Sequence, residues 1–194
     1  MKRNADKFSR RKLLKAGLLG VAAAIVPLGA DAALRAVQPA NLFVRSPSNR
    51  ALSFYNVHTG ERLKTVYFDN GEYVLDALRE VNHFFRDFRA NEVMAIDPRL
   101  LDLLYRIHFA LDTSQPFNLI SGYRSPATNA WLASQSEGVA HHSLHMYGMA
   151  SDVNVQGRSL ALLQAVALAM RGGGVGYYPR PDFVHVDIGR VRRW

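Results

Sequence analysis

Two segments near residue 50 alternate apolar and polar side chains, which is the period of a half-buried β-strand. They span 51–57 and 62–68 and enclose His58-Thr59-Gly60-Glu61, where Gly60 can adopt the positive φ of a tight turn. This pattern predicts a β-hairpin. Asp69-Asn70-Gly71 predicts a further turn directly after the second strand.

Apolar residues then recur at steps of three and four, which is the period of an amphipathic helix. This spacing predicts one helix over 73–89 and a second over 99–111. Asp97 and Pro98 open the second helix as N-cap and first-turn residue. A third long helix is predicted over the strongly apolar segment 160–170.

Shorter elements lie between and after these helices. The sequence predicts a brief helix over 127–134 and strands over 117–121, 150–155, 175–178 and 183–188. Helices that each bury one apolar face must pack against another element, and the predicted strands supply a sheet for this. The predicted fold is therefore an α+β domain, in which a small, mainly antiparallel sheet packs with the helices.

The first 32 residues have the features of an export signal. Ser9-Arg10-Arg11-Lys12 with the following Leu13-Leu14 fits the twin-arginine pattern, and Ala30-Asp31-Ala32 offers a small-x-small cleavage site. The apolar run between them has about 15 residues, fewer than the roughly 20 that span a bilayer. We therefore expect a cleaved signal at 1–32 and no stable membrane span afterwards.

This signal also predicts a location and two partners. A twin-arginine signal directs a bacterial protein to the twin-arginine translocase, and signal peptidase then removes it. The expected location is periplasmic, or otherwise extracytoplasmic. Residues 33–50 contain Pro, Ser and Asn without a clear period, so we expect a tether there and the folded domain at 51–194.

The formal net charge of +8 is concentrated in the signal. Residues 1–32 carry a local charge of +5, which leaves about +3 for the rest of the chain. Bulk basicity therefore does not indicate a nucleic-acid partner. The chain has no cysteine, which excludes a disulfide scaffold, a thiolate zinc site and a cysteine nucleophile. Any metal must be held by His, Asp or Glu.

The last third of the chain carries a candidate set of metal ligands, His145, Asp152 and His185. A turn at Gly148 followed by a strand would bring Asp152 back towards His145. His185 lies on another predicted strand, and neighbouring strands are only about 4.8 Å apart. Two imidazoles and one carboxylate are a ligand set for one hydrolytic zinc ion with a coordination position left for water.

A zinc-bound water also needs a general base, for which Asp182 and Asp187 are the candidates. Residues three apart in a regular strand face opposite ways, so Asp182 can serve His185's site only if it precedes the strand proper. Asp187 shares a face with His185 and could instead orient that ligand. We favour Asp182 as the base.

Other polar residues near these segments have two interpretations each. Arg124, in a tight turn, either binds a substrate carboxylate or carbonyl oxygen, or stabilises its own loop. Ser143 is expected to be a hydrogen-bond partner beside the site and not a nucleophile. His141 and His142 are expected at a solvated rim, with extra metal ligation as the alternative.

Three motifs occur in order along the chain: S-G-Y-R-S at 121–125, S-x-H-x-x-G-x-A-x-D at 143–152 and D-x-x-H-x-D at 182–187. They resemble the zinc D-Ala-D-Ala carboxypeptidase and hedgehog-like peptidase superfamily, and within it the YcbK-like murein endopeptidases. The opening hairpin and the ending G-R-V-R-R-W at 189–194 resemble the same group. The pair His141-His142 departs from the family pattern.

The resemblance implies a hedgehog/D,D-peptidase-like fold with His145, Asp152 and His185 as zinc ligands. It implies that Asp182 is the general base and that Arg124 steadies the substrate or transition state. The implied reaction is hydrolysis of peptide cross-links in peptidoglycan, among them those between two diaminopimelate residues, with peptidoglycan or muropeptides as partner. The alternatives are a zinc D,D-carboxypeptidase that removes terminal D-alanine and a catalytically silent, zinc-stabilised cell-wall-binding module. Asp182 favours an enzyme, because a silent module needs no base.

Overall fold

The computed structural model describes residues 48–136 and 138–194. The predicted signal at 1–32 and nearly all of the predicted tether at 33–50 lie outside the described residues. Among the residues that are described, no helix is both long enough and apolar enough to cross a membrane.

One eight-stranded sheet forms the frame of the domain. Its strands are β1 (Asn49–Asn56), β2 (Arg62–Asp69), β3 (Glu72–Tyr73), β4 (Phe117–Ser121), β5 (Ala150–Val155), β6 (Gly174–Tyr178), β7 (Phe183–Asp187) and β8 (Arg192–Arg193). Their order across the sheet is β3-β2-β1-β4-β5-β7-β6-β8. The pairs β1–β4 and β6–β8 are parallel and the other neighbours are antiparallel.

The helices of the described part of the chain are α1 (Leu75–Phe84), α2 (Pro98–Ala110), α3 (Pro126–Gln135) and α4 (Leu160–Met170), with a 3₁₀ helix at Leu144–Tyr147. Helices combined with a mainly antiparallel sheet confirm the α+β fold.

The main core lies between the long helices and one face of the sheet. The buried residues of the two longest helices are Leu100, Leu101, Leu103, Leu104 and Ile107 of α2 and Leu163, Val166, Ala167 and Met170 of α4. They belong to the same apolar cluster as Val153 of β5 and Val184 of β7. Complete burial of each such side chain contributes roughly 1.5–3 kcal/mol. Because strand residues alternate between faces, the opposite face of β5 and β7 is left for polar residues.

Several predicted elements agree closely with the structure. β1 and β2 form the predicted antiparallel hairpin, and Gly60 in its turn has a φ of +74°. The carboxylate of Asp97 accepts the backbone N–H of Arg99 at 2.9 Å, so the N-cap of α2 is as predicted. The segment 160–170 is helical over the full predicted range.

The helix predicted over 73–89 is wrong at both ends. Tyr73 belongs to β3, and the helix itself covers only Leu75–Phe84. The chain leaves the helix because the Asp87 carboxylate accepts two backbone N–H groups of the following loop, at 3.0 and 3.4 Å, and so stabilises a turn. β3 and β8 were not predicted, since two residues are too few to show a strand period.

Candidate metal centre

Strands β5 and β7 hold two of the candidate ligands directly opposite each other. Asp152 and His185 are cross-strand partners in an antiparallel pair, so their side chains leave the sheet on the same face. His145 lies in the 3₁₀ helix that precedes β5. The hydroxyl of Ser143 caps this helix by accepting a hydrogen bond from the backbone N–H of His145 at 3.4 Å.

Gly148 makes the turn that connects the 3₁₀ helix to β5. Its φ is +64°, in the left-handed region, and a Cβ at this position would clash with the carbonyl oxygen of Ala95. Both observations require glycine. The turn returns the chain so that Asp152 faces His145, which is the geometry predicted for this segment.

Three side-chain atoms converge at one point on this face. Nε2 of His145 lies 3.2 Å from Oδ1 of Asp152 and 3.1 Å from Nδ1 of His185. Nδ1 of His185 lies 2.9 Å from the same carboxylate oxygen. All three residues are buried. In the described parts of the chain, they are the one group of His, Asp or Glu side chains with metal-binding geometry.

In each imidazole, the nitrogen that points away from the centre has a hydrogen-bond partner of its own. Nδ1 of His145 lies 2.7 Å from the carbonyl oxygen of Gly122, and Nε2 of His185 lies 3.1 Å from Oδ2 of Asp187. When the rings are neutral, as metal ligation requires, each of these nitrogens carries the ring N–H. The remaining nitrogen of each ring then directs its lone pair at Asp152, so that three acceptors meet.

The pKa values show that this cluster attracts positive charge. Burial lowers the pKa of His145. Burial also lowers the pKa of His185, but Asp152 and Asp187 outweigh that effect and raise it to about 9. Burial raises the pKa of Asp152, yet the two histidines hold it well below its usual range. A divalent cation would supply the positive charge that the three acceptors lack.

Asp187 contacts His185 on the side of the ring that points away from the centre. Its Oδ2 accepts from His185, and its Oδ1 accepts the backbone N–H groups of Gly174 at 2.9 Å and Gly189 at 2.8 Å. Nη2 of Arg192 adds an ion pair at 2.8 Å. The carboxylate is fully buried, and both of its oxygens are engaged. This geometry suits a residue that orients a ligand and not one that accepts a proton from water.

Asp182 lies immediately before β7, which meets the condition set for a base at this position. Its φ is +57°, and Nδ2 of Asn154 donates to both its backbone oxygen, at 2.7 Å, and its Oδ2, at 3.2 Å. Asn154 follows Asp152 by two residues on the same face of β5, about 7 Å along the strand. The exposed Asp182 carboxylate lies outside the ligand cluster, and its neighbours Pro181 and Phe183, but not Asp182 itself, line the cavity beside the centre.

Arg124 contacts the other oxygen of the ligand carboxylate. Its Nη2 donates to Oδ2 of Asp152 and to the hydroxyl of Ser121, and its Nη1 donates to Oδ1 of Asn129, all at 3.3 Å. Burial lowers the pKa of Arg124, an effect that Asp152 partly opposes. The guanidinium thus both stabilises its own loop and orients Asp152. It also lines the cavity beside the candidate ligands.

A cavity of about 340 Å³ opens onto the three candidate ligands. His142 lines it and is exposed, which corresponds to the expected rim position. His141 is exposed and is not among the lining residues. Neither histidine belongs to the ligand cluster.

Sequence reasoning missed the supporting residues from the last strands. The backbone N–H of Gly174 donates to Asp187, and a Cβ at Gly174 would lie 2.5 Å from that carboxylate. Trp194 and Arg192 line the cavity but carry no spacing signal of their own. The ending G-R-V-R-R-W was the one pattern that could have drawn attention to them.

Residues 44–194 match the family model described as peptidoglycan L,D-endopeptidase MepK. The chain belongs to this family. A member from Escherichia coli K12, named peptidoglycan L,D-endopeptidase MepK, is 47% identical over 191 residues, which cover 97% of this chain and 100% of that relative. A member from Haemophilus influenzae, named probable peptidoglycan L,D-endopeptidase MepK, is 36% identical over 187 residues, covering 96% and 95%. Family membership confirms the resemblance found in the sequence motifs.

Proposed function

We propose that this protein is a zinc-dependent endopeptidase that hydrolyses peptide cross-links in peptidoglycan. The observation that carries the proposal is the convergence of three buried acceptors, from His145, Asp152 and His185. The other ring nitrogen of each histidine is already hydrogen-bonded. The printed names of the relatives, which are peptidoglycan L,D-endopeptidases, support the substrate class.

The separations within the cluster support zinc as the metal. Nitrogen and oxygen ligands lie about 2.0–2.2 Å from a tetrahedral zinc ion, which puts them roughly 3.3 Å from one another. The three atoms here are 2.9–3.2 Å apart, so they would need to move apart only slightly to bind a zinc ion between them. Three protein ligands also leave one position for water or substrate, as in catalytic zinc sites.

The bound ion would supply a Lewis acid that polarises the scissile carbonyl and lowers the pKa of a water molecule. Asp187 keeps Nδ1 of His185 directed towards the metal position by accepting a hydrogen bond from Nε2–H. Arg124 keeps Asp152 in place through its second oxygen. Because Arg124 also lines the cavity, its charge can steady the polarised carbonyl oxygen of the substrate.

Asp182 is the proposed general base. It would take a proton from the attacking water and deliver it to the leaving amine. Asn154 binds one oxygen of its carboxylate and so fixes its direction without using both oxygens. Asp187 is a poorer candidate, since both of its oxygens are engaged by donors.

The substrate class agrees with export. Peptidoglycan lies outside the cytoplasmic membrane, and residues 1–32 carry the twin-arginine pattern. We therefore propose that the twin-arginine translocase exports the protein, that signal peptidase cleaves it and that it acts in the periplasm. The division into signal (1–32), tether (33–50) and peptidase domain (51–194) remains a prediction.

The direct test is to incubate the purified protein with cross-linked muropeptide dimers, with zinc and with a chelator, and to identify the products by mass. We expect monomers with zinc and unchanged dimers with the chelator. Release of free D-alanine would instead support a D,D-carboxypeptidase. Dimers that remain intact with zinc would contradict the proposal.

The role of Asp182 is tested by the variant Asp182→Asn. We expect it to bind zinc normally while kcat falls about 10²–10⁴-fold, the usual contribution of general acid–base catalysis. Asp112→Asn is the matched control, because Asp112 is also an exposed aspartate with a positive φ, +47°, but lies in the turn that follows α2. Full activity of Asp182→Asn would transfer the base role to another group.

A further inference from the structure

Trp194 is held by hydrogen bonds from both its indole and its backbone, although nearly half of the residue is exposed. Its Nε1–H donates to the hydroxyl of Tyr178 at 2.6 Å. Its backbone N–H and carbonyl both bond to β6, at Val175 (3.2 Å) and Tyr177 (3.1 Å). The residue is nevertheless 49% exposed. Burial of apolar area therefore does not explain by itself why the ring is held so firmly.

The fixed ring lies next to a candidate metal ligand. The ring centroids of Trp194 and His185 are 5.2 Å apart, and the guanidinium of Arg192 lies 4.8 Å from the indole centroid. Gly176, the cross-strand partner of His185, makes room for the indole. A Cβ at Gly176 would lie 2.7 Å from two indole atoms. The sheet thus leaves a space that the indole occupies beside the centre.

The exposed part of Trp194 faces the cavity as one element of an apolar wall. Tyr178, Pro181 and Phe183 complete this wall, and the rings of Tyr178 and Phe183 stack at 4.6 Å. The candidate ligands lie at the bottom of the same cavity. A chain that presents its peptide bond to the metal centre would therefore run along an aromatic surface.

We propose that Trp194 is a substrate-binding residue, whose indole packs against the aliphatic side-chain atoms of the peptide beside the scissile bond. The inference rests on the proposed function, since it takes a peptide as the occupant of the cavity. An aromatic ring fixed in advance offers a large contact area at little cost in conformational entropy. Aliphatic atoms, such as the methylenes of a cross-linking diamino acid, are what such a surface binds best.

Kinetics on cross-linked muropeptide dimers separate binding from a structural role. Trp194→Ala should raise KM roughly tenfold or more through lost apolar contact, while kcat stays within about threefold. Trp194→Phe, which keeps an aromatic ring, should lie between Trp194→Ala and the unaltered protein. The control is Trp131→Phe, because Trp131 is 55% exposed on α3 and does not line the cavity. An unchanged KM in Trp194→Ala, or a fall in kcat and zinc affinity instead, would overturn the proposal.

Fluorescence gives a test that needs no catalysis. The chain has two tryptophans, so in Trp131→Phe all indole emission comes from Trp194. We expect saturable quenching or a spectral shift as muropeptide dimer is added, also in the double variant Trp131→Phe/Asp182→Asn, which should bind without cleaving. Emission that stays constant up to concentrations well above KM would contradict contact with the substrate.

The two measurements distinguish the failure of this inference from failure of the proposed function. If the protein cleaves no dimer but Trp194 emission responds to it, substrate binding stands and the proposed hydrolysis falls. If dimers are cleaved while the emission of Trp194 does not change and Trp194→Ala keeps its KM, the proposed hydrolysis is supported and the binding role of Trp194 is wrong.

Discussion

Two carboxylates in this domain, those of Asp102 and Asp152, each contact three side chains, but they differ in whether those side chains are donors or acceptors. Asp102 of α2 receives only donors: Nη1 of Arg50 at 2.5 Å, the hydroxyl of Tyr67 at 3.0 Å and the hydroxyl of Tyr73 at 2.7 Å. One negative charge is matched by one cation and two neutral O–H groups. The hydrogen-bonding and charge requirements of Asp102 are therefore met within its own cluster. The cluster also links the first three strands to α2.

The Asp152 cluster is not balanced in this way. Arg124 donates to one oxygen of Asp152, but the other oxygen faces two imidazole nitrogens that are lone-pair acceptors when the rings are neutral. Buried acceptors that face each other are costly unless a proton or a cation lies between them. The ratio of donors to acceptors thus separates a structural carboxylate from a candidate metal ligand, although both are held by an arginine.

Exchanging each carboxylate for an amide gives the largest contrast between the two clusters. In Asp152→Asn we expect zinc to be lost from the purified protein and the rate of dimer cleavage to fall by about 10³-fold or more, since the metal supplies the main catalytic charge. Metal content by mass spectrometry and cleavage rates measure both effects.

The matched variant is Asp102→Asn, which should keep zinc and activity and lose about 1–3 kcal/mol of unfolding free energy, because donors of Arg50, Tyr67 or Tyr73 lose a charged partner. Denaturant unfolding of the metal-free protein measures this loss. If Asp102→Asn lost zinc, or Asp152→Asn retained it, the distinction between the two clusters would be wrong.

Asp187 tests whether a fully satisfied carboxylate can still act on the metal. Like Asp102 it receives only donors, but one of them is a candidate ligand, His185. Asp187→Asn should weaken zinc binding about 10- to 100-fold, because the ring of His185 loses its orienting acceptor. Zinc affinity measured by competition with a chromogenic chelator gives this ratio. Unchanged affinity would reduce Asp187 to a purely structural residue.

The last predicted effect is expected at alkaline pH and belongs to the Asp102 cluster. Burial and Asp102 raise the pKa of Tyr73 to about 12, and they raise that of Tyr67 further. An unfolded chain loses these protons near pH 10, so the folded state gains stability from them below pH 10 and loses it as the pH rises towards 12. Unfolding free energies of the metal-free protein should fall over this range, and Tyr67→Phe/Tyr73→Phe should flatten the fall. An equally steep fall in that double variant would contradict the assignment.

The sequence predicts the ligand side of the site well, because its signals are local. The strand period fixes which residues share a face with Asp152, and Gly148 marks the turn that brings His145 back to it. The sequence also predicts His185 on another strand, and the structure shows that this strand is the neighbour of β5 and that His185 pairs directly with Asp152. Each of these steps depends on residues within one short segment or on one sheet spacing.

Apart from Asp187 and Ser143, the support behind the ligands could not be predicted, because its signals are not local. The partner of His145 is the backbone carbonyl of Gly122, which any residue type could offer. The early end of α1 was missed because Phe85 and Phe88 continue the helical spacing while packing elsewhere, against Phe54 and His58. Such contacts are decided by tertiary structure and not by periodicity.

Zinc titration of the metal-free protein tests the central claim most directly. Calorimetry should give saturable binding of one zinc ion per chain, and excess zinc at about 100 times its Kd should add roughly 2.7 kcal/mol to the unfolding free energy. Asp152→Asn should show neither effect, and Asp102→Asn should show both. An unaltered chain that binds no zinc, or binds it equally well without the Asp152 carboxylate, would contradict a metal centre at His145, Asp152 and His185.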